Sequence, residues 1–167
     1  MIAQRAHIFG VFALAITMLG LISGCSWTPR PAHAAGAPGV AVNAATSVGE
    51  TAAAIALDQV GAPYRYGGTG PGGFDCSGLV QYSYSLAGKR MPRTTKQLWT
   101  STSAVDQHEL RVGDVLFFSI EGKMSHVGLY LGQRRFVHAP ASGRSVSVAS
   151  LDSPYYRSAF MRGGRPR

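Results

Sequence analysis

The spacing of apolar residues changes at Gly113, and this change constrains the fold more than any other feature of the sequence. Before Gly113 the apolar residues recur at helical intervals. After it they alternate with polar residues, in runs rich in β-branched and aromatic side chains. These runs are residues 114–119, 126–131, 136–138, 145–149 and 156–161. Helices followed by consecutive strands predict an α+β domain with an antiparallel sheet.

Helices are predicted in three places before Gly113. Ser47 and Glu50 have the spacing of a capping box, in which each side chain bonds to the backbone of the other residue. Asp75 stands where a helix cap is expected, directly before Cys76. The predicted helices cover about residues 48–60, 76–87 and 95–100.

The first 24 residues have the pattern of a secretory signal peptide. A basic start that contains Arg5 precedes an almost wholly apolar run over residues 8–22, and the run ends in Ser23-Gly24-Cys25. This ending resembles the bacterial lipobox, so lipidation of Cys25 is the expected modification, with an anchored rather than a membrane-spanning protein as its result. The alternative is an ordinary signal peptide that is cleaved later, near Ala34.

Residues 25–46 are rich in Pro, Ala and Gly and predict a flexible tether, because they contain too few large apolar side chains to form a core. The folded domain is then expected over residues 47–162, with a frayed basic tail at 163–167. Ser26 follows the lipidated position. In Gram-negative lipoproteins this pattern implies the outer membrane, so the predicted location is the periplasmic face of the outer membrane.

The formal charge of the chain is +8, which favours an anionic partner such as a cell-wall polymer or an acidic lipid surface. Export from the cytoplasm argues against nucleic acid as that partner. Export also places Cys76 in an oxidising compartment. Because Cys25 is expected to carry lipid, Cys76 remains without a disulfide partner.

A glycine-rich loop over residues 64–73 leads directly into Cys76. Glycines allow the backbone of such a loop to approach another molecule closely. A cysteine at the start of a helix is a candidate nucleophile, although a free cysteine is also commonly a buried structural residue. A nearby imidazolium and the helix N-terminus would lower the pKa of Cys76 and favour the thiolate.

Two histidines lie in neighbouring predicted strands. A hairpin centred on Gly132 would pair His126 directly with His138, since the indices of paired residues have a constant sum. Directly opposed residues share one face of a sheet, with Cβ atoms about 5 Å apart. His138 could then hold His126 in one tautomer and leave the other nitrogen of His126 for a nucleophile. One residue of register error would separate the two side chains.

Four segments, in this order, resemble the NlpC-type cell-wall peptidases, a family of papain-like cysteine hydrolases. The segments are Phe74-Asp75-Cys76-Ser77-Gly78, Gly113-Asp114-Val115-Leu116, Ser125-His126-Val127-Gly128 and Phe136-Val137-His138-Ala139. The resemblance implies a papain-like fold with N-terminal helices packed on a five- to six-stranded antiparallel sheet. It also implies roles for four residues: Cys76 as the nucleophile, His126 as the general base, His138 as the residue that orients His126, and Tyr64 as part of the oxyanion site.

The reaction implied by the resemblance is hydrolysis of an amide bond in peptidoglycan stem peptides through a thioester. The bond is either the γ-D-glutamyl–diamino acid bond or a cross-link to meso-diaminopimelate. Asp75, Ser77 and Arg65 are candidate substrate contacts. The alternatives are a plain helix cap for Asp75, a first-turn residue for Ser77 and a packing role for Tyr64. No cofactor or metal is implied, and a monomer is expected.

Other functions are compatible with parts of the pattern. Cys76, His126 and His138 are three residue types that bind zinc, which would make the domain a metal-binding module. A lipid-tethered scaffold with a silent active site is a second alternative. An amidase or acyl transferase on the same fold is a third.

Overall fold

The computed structural model describes residues 46–167. The predicted signal peptide, the lipidation site at Cys25 and nearly all of the predicted tether lie outside the described residues. None of the helices in the described part of the chain combines the length and apolar character needed to cross a membrane.

Four helices and eight strands make up the described residues. In chain order they are α1 (Val48–Leu57), β1 (Thr69–Gly70), β2 (Gly73–Phe74), α2 (Cys76–Leu86), α3 (Thr95–Ser101), β3 (Thr102–Val105), β4 (Val115–Ile120), β5 (Lys123–Gly132), β6 (Arg135–His138), β7 (Ser147–Ser150), α4 (Pro154–Ala159) and β8 (Phe160–Pro166). Strands β1 and β2 form a small hairpin, and the other six form one antiparallel sheet in the order β3-β8-β4-β5-β6-β7. The predicted α+β class and antiparallel sheet are confirmed.

Local capping rules account for where the helices begin. Ser47 and Glu50 form the predicted capping box at the start of α1. The Asp75 carboxylate accepts a hydrogen bond from the Gly78 backbone N–H at 2.7 Å and so caps α2 as predicted. Thr94 and Gln97 form a second capping box at the start of α3. These caps fix the first turn of each helix, including the turn that begins with Cys76.

The sheet is buried on both faces. One face carries Phe117 and Leu129 against the helices α1, α2 and α3, whose buried residues include Ala56, Val80 and Leu98. The opposite face forms a second apolar cluster with residues from α4 and the segment before it, and its members are Leu116, Phe118, Tyr130, Phe136, Leu151 and Ala159. Successive residues of a strand point to opposite faces, so β4 contributes to both clusters.

The C-terminal end departs from the prediction. Residues 156–161 are not one strand: Ser153 caps the short helix α4, which begins at Pro154. The predicted frayed tail at 163–167 is wrong as well, because residues 163–166 continue β8 between β3 and β4. A Cβ atom at Gly163 would lie 2.5 Å from the Leu110 side chain and 3.1 Å from the Val105 carbonyl oxygen, so a larger residue there would have to displace its neighbours.

Candidate active site

The loop before α2 packs onto the first turn of that helix. The Gly67 backbone N–H donates to the Asp75 carboxylate at 2.9 Å, and the Asp75 N–H donates to the Gly68 carbonyl at 3.1 Å. A side chain at Gly78 would collide with the Gly68 carbonyl oxygen. The glycines on both sides of Cys76 therefore allow the loop to close tightly over the helix N-terminus.

Cys76 is the first residue of α2 and is half-buried. Among the residues that the structure describes, its thiol donates to the Ser125 carbonyl oxygen at 3.8 Å. Burial raises the pKa of the thiol, and hydrogen bonds from the backbone of Val127 and Ser77 and from the Thr95 side chain offset part of this rise. The prediction of a lowered pKa for Cys76 is therefore wrong for the resting site, because desolvation outweighs the hydrogen bonds.

His126 lies on β5, directly after Ser125, and is buried. Its Nε2 lies 2.8 Å from Nδ1 of His138, which is 2% exposed at the end of β6. Burial lowers the pKa of His126 to about 4. Burial also lowers the pKa of His138, to about 3, and the nearby His126 and Arg144 add to this effect. Both imidazoles are thus neutral near pH 7, and Nδ1 of His126 is the nitrogen left to accept a proton.

The two histidines meet through a register other than the predicted one. Tyr130 pairs with Phe136, so the hairpin is shifted by two residues and the predicted direct pairing of His126 with His138 is wrong. An even shift keeps both side chains on one face, where they are diagonal neighbours. Between them, a Cβ atom at Gly128 would lie 2.7 Å from the Phe136 ring, so glycine is needed where the rings approach.

Two cavities extend from Cys76, and Tyr64, Cys76 and Ser125 line both of them. One, which we call the loop arm, has a volume of about 560 Å³ and is lined by Tyr64, Tyr66, Gly67, Asp75, Ser77 and residues 93–96. The other, the histidine arm, has a volume of about 320 Å³ and contains His126, Tyr155 and Tyr156. The thiol therefore stands where a substrate that lies across both arms would pass.

Tyr64 is half-buried at the junction of the two arms. Burial raises the pKa of its hydroxyl, and the proximity of Cys76 and Asp75 raises it further, so the phenol remains a hydrogen-bond donor near neutral pH. Its backbone N–H donates to the Arg144 carbonyl at 2.8 Å, which fixes the start of the loop. The structure thus brings Tyr64 next to the Cys76 thiol, and His126, which contacts His138, lines the same histidine arm.

Arg93, which no sequence motif identified, connects the side chains of Asp75 and Ser77. The Arg93 guanidinium contacts both oxygens of the Asp75 carboxylate, at 2.9 Å and 2.5 Å, and donates to the Ser77 hydroxyl at 2.9 Å. Burial raises the pKa of Asp75, but the hydrogen bonds from Arg93 and Gly78 outweigh it and hold the pKa below its usual range. Arg93 lies 18 positions from Asp75, so only the tertiary fold shows the pairing.

Arg65 does not line either arm of the cleft. Its side chain is exposed and runs beside Gly73, where a Cβ atom would collide with it. The substrate contact predicted for Arg65 therefore stays a prediction. Arg93 and Lys96 are the cationic residues that line the loop arm instead.

Within residues 46–167, no group of three or more His, Cys, Asp or Glu residues has the spacing of a metal site. The facing nitrogens of His126 and His138 contact each other at 2.8 Å. The zinc alternative for Cys76, His126 and His138 thus lacks a ligand cluster in the described residues.

Comparison with known proteins gives one family and several relatives. The NlpC/P60 family profile matches residues 61–165. The chain is 37% identical over 115 residues to the murein DD-endopeptidase MepH of Escherichia coli, covering 65% of this chain and 42% of MepH. It is 40% identical over 120 residues to the bifunctional muramidase/DL-endopeptidase CwlT of Bacillus subtilis, covering 70% of this chain and 36% of CwlT. The chain thus spans less than half the length of either relative.

A solved structure supports the same grouping. The NlpC/P60 domain of the peptidoglycan hydrolase SagA is similar to this chain with a TM-score of 0.61 and 32% sequence identity. The similarity covers 70% of this chain and 97% of the SagA domain. The likeness therefore extends over that whole domain and includes both the helices and the sheet.

Proposed function

The chain belongs to the NlpC/P60 family, and we propose that it is a cysteine endopeptidase that hydrolyses an amide bond in the stem peptides of peptidoglycan. One observation carries the proposal: Cys76 shares a cleft with His126, whose ring is held by His138 at 2.8 Å. A nucleophile, a base and a group that orients the base are the parts that covalent acyl transfer requires. The names of MepH, CwlT and SagA support the substrate class.

In the first half of the proposed reaction the Cys76 sulfur attacks the amide carbonyl while its proton passes to Nδ1 of His126. The carbonyl oxygen becomes an oxyanion, which Tyr64 and backbone N–H groups at the start of α2 would stabilise. His126 then gives its proton to the leaving amine as the C–N bond breaks. The products of this half are a free amine and a thioester on Cys76.

In the second half a water molecule gives a proton to His126 and attacks the thioester. Collapse of the tetrahedral intermediate breaks the C–S bond, and the proton on His126 returns to the sulfur. The peptide leaves as a carboxylic acid and both catalytic residues return to their neutral forms. Because the resting thiol and imidazole are both neutral, the proton passes from the sulfur to His126 within each catalytic cycle.

The bond that is cleaved is proposed as one of two. MepH is named as a DD-endopeptidase and CwlT as a DL-endopeptidase, so relatives of similar identity are named for different bonds. The two candidates here are the γ-D-glutamyl–diamino acid bond and the cross-link to meso-diaminopimelate. They yield fragments of different mass from the same cross-linked muropeptide.

The test is digestion of purified cross-linked muropeptides, with products read by mass spectrometry. We expect the wild type to release peptide fragments and Cys76→Ala to release none. Cys25→Ser is the matched control, since it removes the other cysteine of the chain and should retain activity. Fragments released equally by wild type and Cys76→Ala, or by neither, would refute the proposal.

Inhibition separates the peptidase from a zinc-dependent alternative. Iodoacetamide should abolish fragment release by alkylating Cys76, and EDTA should leave it unchanged. The opposite pattern would favour a metal-dependent reaction.

We also propose that a lipid on Cys25 tethers the domain to the periplasmic face of the outer membrane. The apolar run before Cys25 and the Pro-, Ala- and Gly-rich segment after it support this location. Fractionation of cells that express the full chain tests it: wild type should remain with outer membranes and Cys25→Ser should be released. Equal distribution of the two forms would argue against the lipid.

A further inference from the structure

The second ring nitrogen of His138 has its own partner. Nδ1 of His138 contacts His126, and Nε2 lies 3.4 Å from the hydroxyl of Tyr156 on α4. His138 is 2% exposed, so bulk water has almost no access to this nitrogen. Within the described residues, the Tyr156 hydroxyl is the partner that keeps Nε2 from being an unsatisfied buried group.

This contact matters because the tautomers of the two histidines are linked. To accept the thiol proton, Nδ1 of His126 must be unprotonated, which places the proton of the neutral ring on Nε2. That Nε2–H donates to Nδ1 of His138, so the proton of His138 must lie on its own Nε2. A group that accepts a hydrogen bond from Nε2 of His138 therefore favours the tautomer in which His126 can act as a base.

The opposite arrangement would leave His126 unable to accept a proton. If Nδ1 of His138 carried the proton, it would donate to Nε2 of His126, and the His126 proton would then lie on Nδ1. The Tyr156 hydroxyl can serve either arrangement, because it both donates and accepts hydrogen bonds. Without it, the productive arrangement leaves a buried N–H of His138 unpaired, whereas the opposite arrangement leaves only an unprotonated ring nitrogen unpaired.

We propose that Tyr156 is a positioning residue, whose hydroxyl accepts a hydrogen bond from Nε2 of His138 and so stabilises the tautomer of His126 that can deprotonate Cys76. The inference rests on the proposed function and extends the group of three residues implied by the family resemblance to a fourth. His126, His138 and Tyr156 then form a hydrogen-bonded series that runs from β5 through β6 to α4, and His126 lines the histidine arm together with Cys76.

Packing holds the Tyr156 ring in place. The ring stands edge-on to Phe136, with centroids 5.0 Å apart, and to Phe118 at 5.4 Å. It also stands almost perpendicular to the His138 ring, at 88° and 5.3 Å. Ser153 caps α4 and fixes the helix turn from which Tyr156 projects. Removing only the hydroxyl should therefore leave the ring and its contacts unchanged.

Tyr156→Phe tests the proposal, with Tyr82→Phe as the matched control. Tyr82 lies on α2, is half-buried against the core and lines neither arm of the cleft. We expect kcat for muropeptide cleavage to fall roughly 3- to 10-fold in Tyr156→Phe with KM unchanged, in keeping with the loss of one modest hydrogen bond. Tyr82→Phe should retain the wild-type kcat.

Nitrogen-15 NMR of the histidine rings supplies a readout that packing alone would not change. In the wild type at neutral pH, both His126 and His138 should carry the proton on Nε2. In Tyr156→Phe a population with the proton on Nδ1 of both rings should appear. A wild-type spectrum with the proton on Nδ1 of His126 would overturn the proposal, as would a variant with unchanged tautomers and unchanged kcat.

These readouts separate this proposal from the proposed function. If the wild type cleaves no muropeptide, the proposed function fails, but the ring spectra still report whether Tyr156 selects the tautomer. If Tyr156→Phe does not fold, the wild-type spectrum decides, since His126 must then show Nε2–H.

Discussion

The two sides of the cleft hold their functional groups by different physical means. On the loop side, the Asp75 carboxylate is paired with Arg93 and accepts two backbone N–H bonds. On the sheet side, His126 and His138 are buried, contact each other and carry no charge near pH 7. We call the first the junction (Asp75, Ser77 and Arg93) and the second the relay (His126, His138 and Tyr156).

This difference predicts which property of the protein a substitution in each region should change. A satisfied ion pair at the start of α2 fixes the position of Cys76, so the junction should contribute mainly to folding stability. A neutral buried imidazole can accept a proton during the reaction, but its protonation at low pH lowers the free energy of unfolding. The relay should therefore control kcat and the pH dependence of stability. The predictions below test this division.

The largest expected effect is on the rate, at the relay. His126→Gln removes the general base and should lower kcat by about 10³-fold, within the range expected for general base catalysis. His108→Gln, on an exposed histidine in the loop before β4, is the matched control and should leave kcat unchanged. Muropeptide cleavage measured under saturating substrate checks both. A His126→Gln variant with more than about one tenth of the wild-type kcat would place the base elsewhere.

The next effect is on stability as the pH falls. The folded-state pKa values of His126 and His138 lie at about 4 and about 3, below the ordinary value for histidine. The unfolded chain therefore binds more protons below about pH 6.5, and the free energy of unfolding should fall by roughly 1.4 kcal/mol per pH unit for each histidine.

Denaturant unfolding at pH 7 and pH 5 measures this dependence. The total loss should be roughly 2–4 kcal/mol in the wild type. It should be about half as large in His126→Gln, which retains only one of the two buried imidazoles. Equal stability of the wild type at the two pH values would mean that the relay is not buried in its neutral form.

The smallest of the three effects is on stability at the junction. Arg93→Met leaves the Asp75 carboxylate without its ion pair and should lower the free energy of unfolding by about 1–3 kcal/mol at pH 7. The estimate is below that for a fully buried pair because the Arg93 side chain is 32% exposed. Arg90→Met, in the same loop and exposed, should have no measurable effect.

The pH dependence identifies the cause of the Arg93→Met effect. Because the pKa of Asp75 is lowered in the folded state, the stability that it contributes is present above the ordinary aspartate pKa of about 4 and is lost as the pH falls further. The difference between wild type and Arg93→Met should therefore shrink below about pH 4. A difference that stays constant would assign the loss to packing of the Arg93 side chain.

Much of the junction could be predicted from the sequence because it obeys local rules. Asp75 caps a helix three residues before its partner Gly78, and the capping box at Ser47 has the same short range. Arg93 could not be predicted in this way, because its approach to Asp75 depends on how the segment before α3 folds back onto α2. The helix cap formed by Asp75 thus depends on residues close in sequence, whereas its ion pair with Arg93 depends on the tertiary fold.

The relay could be predicted only in part. The alternation of β5 and β6 correctly placed both histidines on one face, but the register was wrong by two residues. Gln133 and Arg134 both adopt positive φ and make the turn, which the position of Gly132 alone did not reveal. Tyr156 was assigned to a strand, although Ser153-Pro154 is the usual pattern of a helix start and predicts α4.

The C-terminal strand shows why composition misled. Residues 163–167 contain glycine and arginine and no large apolar side chain, which is typical of a frayed end. In the fold, Gly163 and Gly164 allow β8 to lie close to β3, and Arg165 pairs with Asp114 at 2.8 Å. The absence of side chains at Gly163 and Gly164 is therefore what allows β8 and β3 to pack closely.

The central claim is that Cys76 rests as a neutral thiol near a neutral His126 and gives up its proton within the catalytic cycle. The rate of iodoacetamide alkylation of Cys76, followed by peptide mass spectrometry without substrate, tests this most directly. A raised thiol pKa predicts slow alkylation at neutral pH, rising about tenfold per pH unit between pH 6 and pH 8. A fast rate that is independent of pH over this range would show a preformed thiolate–imidazolium pair and contradict the account.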